Sequence, residues 1–331
     1  MARNSLRVLC LSAAAWGLLA IPSAHAATST LGQLGNDSPC GGFGYSEVET
    51  STGGAPSYAV PSDGVITSWS ILGNTDTDDV VKMRIFRPTS TPGQFEVVAD
   101  STEQGPLTPS VVNGPFPTNI PVKTGDLLGL NIVAGTNPPC QFSSTSPSDV
   151  ETEFNPDTAL VGQTETSTST FTGFRANVSA TFTPQPGISS LRPSSGPRTG
   201  GTRVTIGGHD FTGTTAVSFG SLPAASFSVT SDGQITAVAP PEAPGTVDVG
   251  VSTPAGKSPA AAADKYTFEA VCVVPNLEGK TLKKAKKRLR RAHCRLGKVR
   301  PKGQETGKVE KQHPKPGRVR AAGHKVSVKL G

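Results

Sequence analysis

Apolar and polar residues alternate with period two through most of the first half of the chain. Between Val65 and Leu72 the alternation puts Val65, Thr67, Trp69 and Ile71 on one face. Between Val80 and Phe86 it sets Val81, Met83 and Ile85 against Lys82 and Arg84. Phe95–Ala99, Leu127–Val133 and Phe174–Phe182 supply further strands, separated by clusters of Gly, Pro, Asn and Asp. Short strands with no amphipathic helix between them predict a β-sandwich of jelly-roll type. Trp69 lies on the apolar phase of its strand and is assigned to the core. The Ser/Thr-rich stretches 143–148 and 164–172 are expected to be surface loops.

A helical period is confined to one place near the end. Leu282, Ala285, Leu289 and Ala292 follow one another at steps of three, four and three, an apolar stripe with Thr281 in position to cap it. The chain therefore reads as mainly β and multidomain, closing on a small α+β unit.

The extreme N-terminus has a different pattern. Arg3 and Arg7 precede an apolar run, Val8–Ala20, interrupted by Ser12, and Ala24, His25 and Ala26 then form an A-x-A cleavage signal. Residues 1–26 read as a secretory signal peptide. The apolar run is shorter than the ~20 residues a membrane span needs, and Cys10 inside it is not placed for acylation. No later stretch reaches spanning length and no wall-sorting tail follows, so the expected product is secreted, extracellular or associated with the cell wall.

Charge then divides the remainder. Pro/Gly-rich breaks at 183–187 and 269–274 suggest pieces at 27–183, 187–269 and 272–331. They hold 5 basic and 16 acidic, 5 and 6, and 19 and 3 residues respectively. The last sixty residues thus carry about +16 in a chain whose net charge is +6.

The middle piece resembles an IPT/TIG domain, which implies an immunoglobulin-like sandwich. The resemblance rests on Ile188–Pro197, Gly200–Gly208, Asp210 and Phe211, Ala216–Gly220, Pro240, Pro244–Val251 and Tyr266–Phe268. Gly200 and Gly201 are read as a turn, and Gly207 and Gly208 as a strand end that tolerates positive φ. Such modules act as spacers and interaction domains and share no catalytic constellation.

The third piece resembles a PASTA domain, through Val274–Thr281, Gly307–Gly317 and Gly323–Leu330. Two departures stand out. His293 replaces the glycine with which the family usually ends its helix, so a left-handed residue there would be strained. Cys294 occupies a usually apolar core position. The resemblance implies peptidoglycan, or anionic polymers attached to it, as partner.

The residues independently point to an anion. Lys283, Lys284, Lys287, Arg290 and Arg291 are the candidate ligand-binding residues of the helix, beside Lys286 and Arg288, and the basic surplus continues through Lys298, Arg300, Lys308, Lys311 and Lys315. So much like charge repels itself unless an anionic partner screens it. Without Phe, Tyr or Trp in this piece there are no stacking platforms, which argues against specific nucleic-acid binding.

A catalytic reading lacks its parts. The first piece contains no histidine, which excludes Ser-His-Asp and Cys-His sites there. Paired carboxylates flanking a cleft would still suit a hydrolase, and a concave aromatic or calcium site would suit an adhesin or carbohydrate-binding protein whose first domain recognises a glycan or another surface protein. Asp76, Asp78 and Asp79 lack calcium-loop spacing and are read as a solvated turn. The expectation is a non-enzymatic protein with no cofactor and no metal.

Cys40, Cys140, Cys272 and Cys294 remain after the leader. No C-x-x-C spacing suggests zinc. Four cysteines allow three pairings, and only Cys40–Cys140 with Cys272–Cys294 keeps each bridge inside one piece. Loop closure of that kind is worth about 4.7 and about 3.4 kcal/mol on the chain-entropy account. Non-reducing peptide mapping is expected to recover these two links; free thiols at all four positions, or a link between pieces, would overturn the division of the chain.

Overall fold

The structure is a computed structural model that describes residues 28–35, 42–301, 303 and 306–331. The leader 1–26 and Cys40 lie outside the described residues. Among the described residues the fold is mainly β, with one α-helix.

The first domain contains thirteen described strands: Ser29–Gln33 (β1), Tyr45–Ser51 (β2), Gly64–Leu72 (β3), Val80–Pro88 (β4), Gln94–Asp100 (β5), Val112–Val122 (β6), Leu127–Ala134 (β7), Gln141–Ser143 (β8), Val150–Phe154 (β9), Thr164–Thr166 (β10), Ser169–Thr172 (β11), Phe174–Ala176 (β12) and Val178–Pro184 (β13). Strands β1-β13-β3-β6 form one sheet and β10-β5-β4-β7-β2-β9-β11 the other. A core of Ile66, Trp69, Ile71, Val81, Met83, Ile85, Leu128, Leu130 and their neighbours lies between them. In β4, Val81, Met83 and Ile85 face this core as expected, and in β3 Trp69 is buried to 1% exposure.

Three local expectations are corrected. Thr67 is exposed, because a bulge lets Ile66 and Ser68 pair with successive positions of β13 and shifts the strand's phase. The buried apolar set of β3 is consequently Val65, Ile66, Trp69 and Ile71. The stretch 164–172 is not a loop: β10 pairs with β5 and β11 with β9. Asp79 is fully buried and so leaves the expected solvated turn, whereas Asp78 is exposed and Asp76 half-exposed there, accepting from Thr136 and Asn137.

The position of β10 and β11 dictates the shape of the larger sheet. They are its two edges, about 29 Å apart if seven strands lay flat at ~4.8 Å spacing, yet only Ser167 and Thr168 separate them. Ser167 donates its N–H to Gly93 and Thr168 to Glu153, stitching the two sides together. The sheet must curl until its edges meet. Its concave side holds a second apolar cluster, in which the Phe86 and Phe154 rings stack 5.1 Å apart and Phe95 meets Phe154 edge-on at 5.6 Å.

The second domain is a two-sheet sandwich. Its strands are Gly187–Arg192 (β14), Ser195–Pro197 (β15), Arg203–His209 (β16), Ala216–Phe219 (β17), Leu222–Pro223 (β18), Ser226–Ser231 (β19), Gln234–Val238 (β20), Gly245–Thr253 (β21), Gly256–Lys257 (β22) and Lys265–Glu269 (β23). The order is β14-β16-β20-β19 in one sheet and β15-β23-β21-β17-β18 in the other, around Val204, Ile206, Phe219, Val251, Tyr266 and Phe268. Gly200 and Gly201 have φ of 72° and 83°, as their turn requires. Gly208 is glycine for a different reason than expected. It lies inside β16, and a Cβ there would come within 1.9 Å of the Gly187 carbonyl oxygen.

The third domain folds Leu282–Arg291 (α1) onto Arg295–Arg300 (β25), Val309–His313 (β26) and Lys325–Leu330 (β28), with a small ladder of Val271–Val273 (β24) and Val319–Ala321 (β27) beside them. Leu282, Ala285 and Leu289 are the helix's buried residues, and they meet Val309, Val326, Val328 and Leu330. Thr281 caps the helix by accepting from the Lys284 N–H. Cys272 and Cys294 are joined by a disulfide with Cα atoms 4.8 Å apart. Cys140 is buried and disulfide-bonded.

His293 has the left-handed φ of 53° foreseen for the helix end. Two substitutions follow with opposite signs. Leu289→Ala is expected to destabilise this domain by roughly 2–5 kcal/mol, and His293→Gly to stabilise it by about 1 kcal/mol through relief of αL strain. Denaturant midpoints followed by far-UV circular dichroism of the isolated domain would check both; an unchanged midpoint for Leu289→Ala would mean that the stripe is not core.

Candidate anion-binding surface

The buried stripe of α1 fixes where its cations go. At about 100° per residue, Leu282, Ala285 and Leu289 occupy one arc of roughly 60°. Lys283, Lys284, Lys287, Arg290 and Arg291 then fall on the opposite arc of about 120°, and all five are exposed. The structure thus brings the five predicted residues onto one continuous face. Lys286 and Arg288 flank it. Arg288 is committed to the domain's own backbone, donating from Nη1 to the Asn276 carbonyl at 2.9 Å.

This face is costly to build. Lys283–Lys287, Lys287–Arg291, Lys284–Arg288 and Lys286–Arg290 are like-charged pairs at i,i+4, each unfavourable by a few tenths of a kcal/mol. Lys283 and Lys284 also stand in the first turn, where the helix dipole opposes cations; the arginines of the last turn are favoured by it. No acidic residue lies in the first turn. Among the described residues the domain's single ion pair is Lys329–Glu310, 2.9 Å apart and exposed.

The first domain offers a different chemistry. On the concave side of the curled sheet Arg84, 3% exposed, makes a two-pronged pair with Asp100 at 2.7 and 2.9 Å and a third contact with Asp157. Asp157 also accepts from Ser46 and Asn131. Glu165 hydrogen-bonds to Asp157, and burial with that neighbouring charge pushes its carboxyl up to about 8. A polar groove of about 650 Å³ opens beside Glu165, lined also by Phe154, Pro156 and Gln163. Glu165 is the one carboxylate that lines it, and its single aromatic ring, Phe154, belongs to the Phe86 stack. Among the described residues no three His, Cys, Asp or Glu side chains group as a metal site.

The convex side of the same sheet carries acids that sequence reasoning missed. Glu47 faces Glu153 and Glu49 faces Glu151 across β2 and β9. Glu47 and Glu151 are buried and hydrogen-bonded to one another, so burial and mutual repulsion raise the proton affinity of the pair. Glu49 is pushed up to about 8, first by burial and then by the Glu151 charge, although it accepts from the Val150 and Ala176 N–H groups. Asp149 moves the other way, to about 2: although burial raises it, the hydrogen bonds from Arg175, Gly53 and Ser144 outweigh that.

The chain is thus mainly β and modular, with an acidic β domain, an immunoglobulin-like sandwich and a cationic α+β unit. Family models match two of its parts: an IPT/TIG domain at residues 186–268 and a PASTA domain at residues 273–331. The chain contains these two domains in that order, and together they fit a modular cell-envelope protein. No family model matches the first domain. No curated protein matches the chain. Among solved structures, the chain is similar to two of the plexin A4 full extracellular region. They are 16% and 15% identical, cover 46% and 63% of this chain and 12% and 17% of theirs, and both have a TM-score of 0.23. The chain spans less than a fifth of those proteins. None of the described helices is long and apolar enough to cross a membrane.

The buried acids make the first domain's stability depend on pH with a definite sign. Glu47, Glu49 and Glu151 bind protons more tightly folded than unfolded, so their stabilisation is complete below about pH 4; that of Glu151 and Glu49 is lost as pH rises through about 7 and about 8. Asp149 contributes above about pH 4 and is lost as pH falls towards 2. Trp69, the only tryptophan beyond the leader, reports this domain within the whole chain. Its emission should show a thermal midpoint highest near pH ~5 and lower by several degrees near pH ~8; Glu49→Gln should flatten that decline, and a midpoint rising from pH 5 to 8 would contradict the assignment.

Proposed function

We propose that this is a non-catalytic cell-envelope protein, secreted and held at the wall by its basic PASTA domain, with the IPT/TIG domain as a spacer that presents the acidic first domain. The partner of the basic domain is peptidoglycan or the anionic polymers attached to it. The observation that carries this reading is the uninterrupted cationic face of α1. It is opposite the core, almost without internal counter-charge, and maintained against self-repulsion. The PASTA match supports a wall ligand and the charge supports its anionic character. The first domain's groove lacks opposed carboxylates and a free aromatic platform, in keeping with a presented binding domain and not a glycosidase.

Residues 272–331 are expected to sediment with purified cell-wall sacculi, and residues 27–269 to remain largely in solution. Salt separates the two contributions. Attraction between charges alone should be mostly lost between about 50 and 500 mM salt, whereas a shaped peptidoglycan site retains part of its affinity. Charge reversal of Lys283, Lys287 and Arg291 should slow association more than it speeds dissociation. Failure of residues 272–331 to bind sacculi at low salt would refute wall anchoring.

A further inference from the structure

The PASTA domain has a second cationic face on the side of its sheet away from α1. Val326, Val328 and Leu330 of β28 point towards the helix, so Lys325, Ser327 and Lys329 point outward. The register then aligns cations across three strands. Lys329 stands opposite Arg300 of β25 on one side and Lys311 of β26 on the other. One step along, Ser327 stands opposite His313, and its hydroxyl accepts from the Lys298 backbone N–H at 3.1 Å. These six side chains line an open groove of about 250 Å³.

Like charges directly opposite on neighbouring strands destabilise a sheet. Here three stand in a row, and among the described residues only Glu310, bound to Lys329, offsets them. An exposed pair of that kind is worth little. The row therefore has no folding rationale of its own.

We propose that this groove binds a linear phosphodiester polymer, independently of the helix face, so that one PASTA domain holds two polymer segments at once. The proposal rests on the wall-anchoring reading and extends it to a second site. The chemistry supports this occupant in three ways. Successive outward positions on a strand lie ~6.8 Å apart, which suits single negative charges repeated along an extended chain. Arg and Lys together suit phosphate oxygens, Arg by paired donors and Lys as a point charge. No Phe, Tyr or Trp lines the groove, whose one ring is the imidazole of His313, so it lacks the large platforms on which successive bases or sugar rings stack.

The test uses the secreted chain and short poly(glycerol phosphate) as the probe, titrated by calorimetry over a salt series. Two probe molecules per chain are expected. Replacing Arg300, Lys311 and Lys329 together by Gln should remove one of them and reduce the log–log salt slope by about 2. Charge reversal of Lys283, Lys287 and Arg291 should remove the other. The Gln variant should also unfold at a higher temperature, because it relieves the repulsion in the row; this readout shows that lost binding is not lost folding. An unchanged stoichiometry in the Gln variant overturns the second site while leaving helix-face anchoring intact. Loss of all probe binding in the helix variant alone does the same. Equal binding of polyglutamate or oligo-dT to the sheet site would overturn the phosphodiester assignment.

Discussion

Nineteen cations on sixty residues repel one another around a core of eleven buried side chains. A unit of that size buries too little apolar surface to tolerate much opposition, and small extracellular folds commonly rely on covalent links. The Cys272–Cys294 bridge meets that constraint. It ties β24 to the residue just beyond α1, closing a loop that contains the whole cationic helix. Electrostatic strain can then accumulate on the helix and on the sheet without separating the two layers. The functional surface depends on that link more than on any single basic residue.

The two ends of the molecule treat charge in opposite ways. The C-terminal domain leaves its cations in solvent, where a partner can reach them. The first domain draws its acids inward, pairing Asp149 with Arg175 and Asp100 with Arg84 and leaving Glu47, Glu49 and Glu151 to hold protons. Its acidic composition therefore overstates its negative surface. A reading based on net charge alone would predict strong attraction between the two ends, and much of the charge required for that is not displayed.

The helix stripe, its cap, the αL residue at its end and the five-residue basic face were legible because each depends on neighbours within one or two turns. The same holds for Val81, Met83 and Ile85. What escaped the sequence depends on distant partners. Thr67 was assigned inward because nothing in its own strand reveals the bulge created against Thr181 and Phe182. Gly208 looked like a turn residue, whereas the demand comes from Gly187. Arg84 was placed opposite Val81, Met83 and Ile85, and its burial there requires Asp157, whose position beside it the local pattern does not reveal. The Arg300–Lys329–Lys311 row is likewise invisible until strand register is known. Lys329 adjoins neither of the others in sequence, and β25 runs parallel to β28 while β26 runs antiparallel.

The curling of the seven-stranded sheet has a further consequence for molecules gathered at high density on one surface. A flat sheet would present long rows of unpaired N–H and C=O groups through which neighbouring copies could zip together. Here the edges are two strands of three and four residues that turn into one another through Ser167 and Thr168. On the smaller sheet, edge strand β6 carries Pro115, Pro117 and Pro121, which remove donors from its rim. These edges are thereby protected against self-templated pairing with neighbouring copies.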